Sequence, residues 1–423
     1  MKILPYTVTD LSALVHNARL LKKLAGDFYC VVKCRAYGHG DTECVSALYS
    51  AGMRRFAVSD ITEALRIRPL APDAEIVVLG ACDVSVLPLA AENSFTLTIH
   101  DEYEAAGISK KKADKLPLPE FHIKLDTGMH RSGFECDPET VFRSVYDLNN
   151  NITGIYTHFP RADADDISET EAQLRLFNEA SDTLSSMFDR PLIRHTAASP
   201  AFFRLPAESR GLCRIGLALY GVPPEHFPDI LRESEALRYN PSGVVQPCAN
   251  GMDNESEAFE TLKPVMSFCS EVSGIRTVKS GEYIGYGSVF RCNGDKVIAT
   301  VAGGYANGIL RYLRNPYPIY PSVKGRADGT PDTGKAFKSD ETAAPTCCAE
   351  INGYPAALAG TPCMDRCMFD VTPIFKNGGK VSPGDRVVFF GESRSVNEYA
   401  RALGTISYEA LTTVGNLNYK KIR

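Results

Sequence analysis

The spacing of apolar positions opens the chain with a helix. Leu11, Leu14, Val15, Ala18 and Leu21 share one face, and Thr9 or Asp10 can cap it. Short β-prone apolar runs then recur between helical stretches, at 28–33, 56–59, 75–80, 96–100, 121–126, 153–158, 192–196 and 212–216. Eight strands alternating with helices predict a closed (β/α)8 barrel of the TIM type rather than an open doubly wound sheet, which usually has fewer strands.

After Gly221 the pattern changes. Pro-Pro, Asn-Pro-Ser-Gly and Asn-Gly signals between 222 and 261 mark an elaborated connection. From Leu262 the chain reads as β-rich, with runs at 265–275, 283–290, 296–301, 349–351, 368–371 and 386–390. A polar stretch near 316–347, rich in Gly, Asp, Thr and Lys, predicts a surface insertion. The expected division is an α/β barrel over 1–235, a linker over 236–261 and a mostly antiparallel β-domain over 262–423.

Composition narrows the partners. Of 423 residues, 44% are hydrophobic and 23% charged, which excludes disordered and fibrous classes. Lys and Arg number 46 against 51 for Asp and Glu, so no basic excess draws nucleic acid or an anionic membrane. No apolar run reaches the roughly 18–20 residues of a membrane span. The start, Met1-Lys2-Ile3-Leu4-Pro5-Tyr6, turns polar at once and does not read as a secretory leader, so a cytoplasmic location is expected. The 13 cysteines fit a reducing compartment. Cys30, Cys82, Cys213 and Cys269 lie in apolar runs and read as buried free thiols. The pairs Cys30/Cys34 and Cys363/Cys367 and the vicinal Cys347-Cys348 are poor zinc patterns, and no metal site is expected.

Barrel enzymes build their sites at the C-terminal ends of the strands. The first run ends in Lys33. A lone lysine there is more often a snorkelling side chain than a desolvated amine fit for Schiff-base chemistry. Its company changes that balance. Lys124 and Arg131 follow the fifth run, His158 ends the sixth, His195-Thr196-Ala197-Ala198-Ser199 belongs to the seventh and Arg214-Ile215-Gly216-Leu217 to the eighth. Cations and imidazoles at one barrel mouth, with small residues and a hydroxyl after the last strands, suit an anionic, phosphate-bearing cofactor.

These motifs, V-V-K-C-R-A-Y-G-H-G from Val31, K-L-D-T-G-M-H-R-S-G-F from Lys124 and R-I-G-L-A-L-Y-G from Arg214, resemble those of the alanine racemases. I-G-Y-G-S-V-F from Ile284, G-G-Y-A-N-G-I-L-R from Gly303 and C-M-D-R-C-M from Cys363 extend the resemblance over nearly the whole chain. It implies a pyridoxal 5'-phosphate enzyme with Lys33 linked to the cofactor and Tyr286 as the opposing base, contributed across a homodimer interface. By the same resemblance Arg214 partners the pyridine nitrogen, His158 contacts Arg214, and Tyr37, Ser199, Gly216, Leu217 and Tyr408 cradle the phosphate. Arg131 and the Met364 backbone N–H would bind the substrate carboxylate. Lys124 matches a lysine that the family frequently carbamylates and that holds Arg131.

The residue chemistry is consistent with that assignment. Racemisation needs a base on one face of the α-carbon and an acid on the other. Tyrosine, with an ordinary pKa near 10, needs nearby cations for that role. Arginine opposite the pyridinium nitrogen cannot accept its proton, which weakens the electron sink and discourages transamination. The resemblance implies D-alanine supply for peptidoglycan. The alternatives are a serine or broad-specificity racemase, a non-catalytic pyridoxal-phosphate carrier and a barrel decarboxylase, the last disfavoured by Arg214. Three departures from the family pattern stand out: Ile215 for proline, Asn307 for aspartate, and Cys34-Arg35 after the lysine.

Overall fold

The computed structural model describes residues 4–205, 211–223, 237–238, 246–247, 261–313 and 347–423. The expected linker over 236–261 and the expected insertion near 316–347 lie outside the described residues, apart from the short pair Leu237–Arg238 and Gln246–Pro247 and the flanking Thr261 and Cys347. The chain divides into two units, Asp10–Val265 and Met1–Thr9 with Met266–Arg423.

The first strand, β1 (Tyr6–Thr9), joins the second unit, so the barrel does not open at residue 1 as the sequence pattern suggests. The reason is pairing: β1 runs antiparallel to Met266–Val278 and parallel to Tyr419–Ile422. Four residues are too short a run to betray which partner they will find.

Helix α1 (Leu11–Ala25) begins where the Asp10 carboxylate accepts the Ala13 N–H at 3.0 Å. It buries Leu14, Ala18 and Leu21 but also Asn17. Burying an amide is tolerable only with its hydrogen bonds made. Asn17 donates to the Leu219 and Lys263 carbonyls at 3.1 and 2.8 Å and accepts the Lys263 N–H at 2.8 Å. Its partners fasten the returning segment at 261–265 to the barrel unit.

Eight parallel strands close the barrel: β2 (Phe28–Val31), β3 (Arg55–Val58), β4 (Glu75–Val78), β5 (Phe95–Ile99), β6 (Glu120–Lys124), β7 (Ile152–Tyr156), β8 (Ile193–Ala198) and β9 (Leu212–Ile215). β9 returns to β2 with Tyr29 opposite Arg214. The strands are buried along nearly their whole length, as expected for a sheet covered by helices outside and filled within. Every strand seen in the spacing of apolar runs is present.

In the second unit, Lys296–Ala302, Arg366–Asp370, Tyr354–Leu358, Cys347–Ile351, Arg386–Phe390, Met266–Val278, β1 and Tyr419–Ile422 form one sheet in that order, and Met266–Val278 also pairs back to Lys296–Ala302. All pairings but that of β1 with Tyr419–Ile422 are antiparallel. Phe268, Phe389, Phe390 and Tyr399 pack as an aromatic core, with Phe268 and Phe389 stacked at 4.8 Å.

The run at 283–290 is not one strand. Tyr283–Ile284 and Phe290–Arg291 pair with each other, and Tyr286–Ser288 forms a 3₁₀ turn between them. Positive φ at Gly285, Gly287 and Ser288 breaks the extended backbone.

No helix among the described residues is long and apolar enough to cross a membrane. Among the same residues, no group of three His, Cys, Asp or Glu is arranged to hold a metal ion. Cys30, Cys213 and Cys269 are buried free thiols, whereas Cys82 is only half-buried.

Candidate active site

Lys33 directly follows β2 and the short connecting residue Val32. The chain then does something costly. Cys34, Arg35 and Ala36 adopt left-handed helical torsions, with φ of 53–54° and ψ of 49–53°, and Tyr37 has φ 53°. At about 1–2 kcal/mol per non-glycine residue, three such residues cost roughly 3–6 kcal/mol. Surrounding contacts hold the turn. The Ala36 N–H donates to the Val32 carbonyl at 2.8 Å and the Gly38 N–H to the Cys34 carbonyl at 3.0 Å. Glu63, in the first turn of the helix Ile61–Ile67, supplies the link from another element: one carboxylate oxygen accepts the Cys34 N–H at 2.6 Å, and the other accepts the Ser59 N–H and hydroxyl at 2.9 and 2.8 Å.

Glu63 was not among the residues that sequence reasoning selected. A signal existed, because Asp60 and Glu63 have capping-box spacing and Asp60 caps the helix Ile61–Ile67. The spacing could not reveal that Glu63 reaches past the cap to the Lys33 turn.

The Lys33 amine is held below its ordinary pKa, first by burial, then by Arg131 and Arg214, against the opposing influence of the neighbouring Cys34. Lys124, the last residue of β6, is 4% exposed and donates to the Ser132 hydroxyl at 2.5 Å. Burial, followed by the charge of Arg131, brings its pKa down to about 8. The loop after β6 is folded back by Asp126, whose carboxylate accepts the N–H groups of Gly128, Met129 and His130 at 2.9, 2.9 and 3.1 Å. Gly133 (φ +125°) closes the loop; a Cβ there would come within 2.7 Å of the Asp126 nitrogen. Arg131 projects from this loop and is exposed.

Arg214, on β9, is 4% exposed and makes hydrogen bonds with four of its five N–H groups. Nη1 meets the His195 carbonyl and, at 3.0 Å, His195 Nδ1. Nη2 meets the Thr157 and Thr196 carbonyls at 2.7 and 3.1 Å and His158 Nδ1 at 3.2 Å. No hydrogen bond from its Nε–H is made among the described residues. Burial, followed chiefly by the charges of Arg214, Arg131 and Lys33, keeps His158 neutral, its pKa well below the ordinary value. His195 and Thr157, missed as functional residues in the sequence, are the groups that fix Arg214.

The ends of β8 and β9 meet at Ser199. The Ser199 hydroxyl accepts the N–H groups of Gly216 and Ala218 at 3.1 and 3.3 Å, where the turn Leu217–Tyr220 begins. A Cβ on Gly216 would come within 2.5 Å of the Tyr37 hydroxyl, so glycine keeps the space beside that phenol open. This geometry fits pyridoxal phosphate. Backbone N–H groups and two hydroxyls suit a phosphate, a free guanidinium N–H suits a pyridine nitrogen, and a lysine held below its ordinary pKa suits an aldehyde. Lys33, Tyr37, Lys124, Arg131, His158, Ser199, Arg214, Gly216 and Leu217 all belong to this unit.

Tyr286, Met364 and Tyr408 belong to the C-terminal unit. Tyr286 is 71% exposed in its glycine-flanked turn, and Met364 is 60% exposed. Gly304 packs against the backbone of 363–364, and the Tyr305 and Ala306 N–H groups donate to the Cys363 and Met364 carbonyls at 2.9 and 3.0 Å. Asn307, where the resemblance leads one to expect an aspartate, pairs its amide with that of Asn418 at 3.1 Å. Tyr408 opens the helix Ser407–Leu417 and is half-buried.

Comparison with known proteins agrees in both units. Residues 9–224 match the family described as "Alanine racemase, N-terminal domain" and residues 265–422 match "Alanine racemase, C-terminal domain". An alanine racemase of Carboxydothermus hydrogenoformans is 30% identical over 419 residues, 97% of this chain and 96% of that protein. One from Methanococcus maripaludis is 30% identical over 96% of this chain and 95% of its own length. Among solved structures, the Bacillus anthracis alanine racemase with bound L-Ala-P has a TM-score of 0.77 at 26% identity, covering 100% of this chain and 96% of that one. The biosynthetic enzyme of Pseudomonas aeruginosa has a TM-score of 0.74 at 27% identity, covering 100% of each.

Proposed function

The chain belongs to the alanine racemase family of amino-acid racemases, and from that premise we propose that it interconverts L-alanine and D-alanine with pyridoxal 5'-phosphate. The cofactor, when bound, supplies the electron sink that acidifies the substrate's α-hydrogen. Lys33 would hold the cofactor through its aldehyde and would be the base on one face of the substrate's α-carbon. Tyr286 of a second copy of the chain serves the other face. Tyr37, Ser199, Gly216, Leu217 and Tyr408 hold the phosphate. Arg131 and the Met364 N–H hold the substrate carboxylate, and Lys124, carbamylated or not, steadies Arg131.

Arg214 carries this reading. Its Nη groups are committed to five acceptor atoms of the barrel wall, leaving Nε–H to meet a ring nitrogen. A guanidinium cannot take up a proton, so the ring nitrogen meets a donor and stays unprotonated. That weakens the sink enough to favour return of the proton to the α-carbon over transamination. After burial, the charges of Arg131 and Arg214 lower the pKa of both Lys33 and Lys124, and a phosphate and a carboxylate bound together would offset that concentration of positive charge. The exposed Tyr286 supports a homodimer in which each site draws on both chains. The same reading places the enzyme in the cytoplasm, supplying D-alanine for peptidoglycan.

The test is chiral analysis of products. The purified, cofactor-loaded protein is incubated with L-alanine and, separately, L-serine. D-alanine should form in preference to D-serine. Absence of D-alanine would overturn the activity, and faster D-serine formation would reassign the substrate.

A further inference from the structure

Two histidines inside the barrel extend the hydrogen bonds of Arg214 inward, and the chemistry above makes no use of the inner one. Arg214 Nη1 lies 3.0 Å from His195 Nδ1, and His195 Nε2 lies 2.8 Å from His122 Nδ1. Both imidazoles are fully enclosed. Burial, reinforced by neighbouring positive charge, keeps both neutral, with His122 brought down to about 3.

The proton positions follow from one another. An arginine only donates, so His195 Nδ1 accepts and the His195 proton resides on Nε2. That N–H in turn donates to His122 Nδ1, which leaves the His122 proton on its own Nε2. The series ends there, because His122 Nε2 has no hydrogen-bond partner among the described residues. A buried donor without a partner is unfavourable. The neighbouring strand accommodates the ring with a glycine, since a Cβ on Gly154 would stand 2.5 Å from His122 Nε2. His195 is also stacked on Tyr156 at 4.6 Å, and the Arg214 guanidinium lies 5.0 Å from the same ring's centre.

We propose that His122 and His195 are positioning residues whose ordered tautomers hold Arg214 in place as a hydrogen-bond donor to the cofactor's ring nitrogen. The proposal rests on the reading of Arg214 given above. With the opposite tautomer, His195 Nδ1–H would oppose an Arg214 N–H, donor against donor, and the guanidinium would be driven from its place. His122 prevents this by offering His195 Nε2–H an acceptor at the far side of the ring.

The full-length holoenzyme labelled with ¹⁵N-histidine tests this by NMR, since protonated and bare ring nitrogens differ in shift. His122 and His195 should each carry their proton on Nε2. His122→Phe removes the acceptor and should mix the His195 tautomers. It should also lower kcat about tenfold with little change in KM, and raise the pyruvate released per D-alanine formed. His122→Gln, which restores an acceptor oxygen, should recover most of both. A proton on His195 Nδ1 in the unsubstituted protein would overturn the proposal, and that spectrum does not depend on any variant folding. So would a His122→Phe enzyme with an unchanged pyruvate-to-D-alanine ratio. Borohydride trapping separates the two levels. Absence of a Lys33 adduct would overturn the cofactor reading and this proposal with it, whereas an intact adduct with a reversed tautomer would overturn this proposal alone.

Discussion

In the barrel unit, Arg214 is 4% exposed and fixed by carbonyls and imidazoles of β8 and of the loop after β7, while in the C-terminal unit Tyr286 is 71% exposed on a two-glycine turn. Each barrel group has its surroundings completed by its own unit: Glu63 braces the Lys33 turn, Ser132 receives the Lys124 ammonium, and His195 secures Arg214. Tyr286 has no comparable setting in the unit that carries it. A phenol must lie near cations to exchange protons at neutral pH. In the proposed dimer those cations come from the partner. On the proposed reading, the difference teaches that tuning and assembly are divided: one unit prepares charge, and the other would offer a reactive group that works once a second surface encloses it.

The largest expected effect comes from the prepared side. Lys33→Ala should lower racemisation at least about a thousandfold and eliminate the borohydride-trapped adduct found by peptide mapping. An adduct on another lysine would break the assignment. Next comes the division itself. Lys33→Ala and Tyr286→Phe chains, each nearly inactive, are mixed in equal amounts and allowed to exchange. About half the dimers are then mixed, each with one intact site, so roughly a quarter of full activity should return. No recovery, with exchange confirmed by mass, would mean that each site is confined to one chain.

Stability should separate the two regions in a third way. Gly154→Ala places a Cβ 2.5 Å from His122 ring atoms and should destabilise the barrel unit by about 1–3 kcal/mol in urea titration. Tyr286→Phe, on an exposed turn, should stay within about 0.5 kcal/mol. Equal losses would erase the contrast. The smallest effect is one of pH. Burial lowers the Lys124 pKa from 10.5 to about 8, so between those values the unfolded chain holds a proton that the folded chain has lost. Unfolding then takes up a proton, and stability should rise with pH across that window. In bicarbonate-free buffer the parent protein should gain on Lys124→Met between pH 8 and 10. A constant difference would show that the amine does not titrate there.

Much of the barrel was legible because each strand is an apolar run that ends in residues of another character. Lys33, Lys124, His158 and Arg214 stand out by that change alone. The left-handed turn was not legible. Cys34, Arg35, Ala36 and Tyr37 include no glycine, and the brace on them arrives from Glu63 in a separate helix. His122 was hidden for a related reason: in E-F-H-I-K a polar residue inside a buried strand has no periodic signature, and only the fold brings it to His195. Around Tyr286 the β-prone residues Tyr283, Val289 and Phe290 outweighed the two glycines that make the turn. The strands Tyr354–Leu358 and Tyr419–Ile422 were too short or too polar to register.

The placement of β1 also sets a schedule. Tyr6–Thr9 is made before every barrel strand, yet its neighbours in the sheet are Met266–Val278 and Tyr419–Ile422. Asp10–Val265 is contiguous and has every barrel strand available before either neighbour is made. At about 5–20 residues per second, the roughly 410 residues separating β1 from its last neighbour take on the order of 20–80 s to make. By the time Met266–Val278 is made and can pair with β1, every barrel strand has already emerged, so until then the nascent chain carries a short unpaired strand ahead of the barrel. A Tyr-Thr-Val-Thr run only four residues long is a poor template for neighbouring chains, which makes it a tolerable segment to leave waiting.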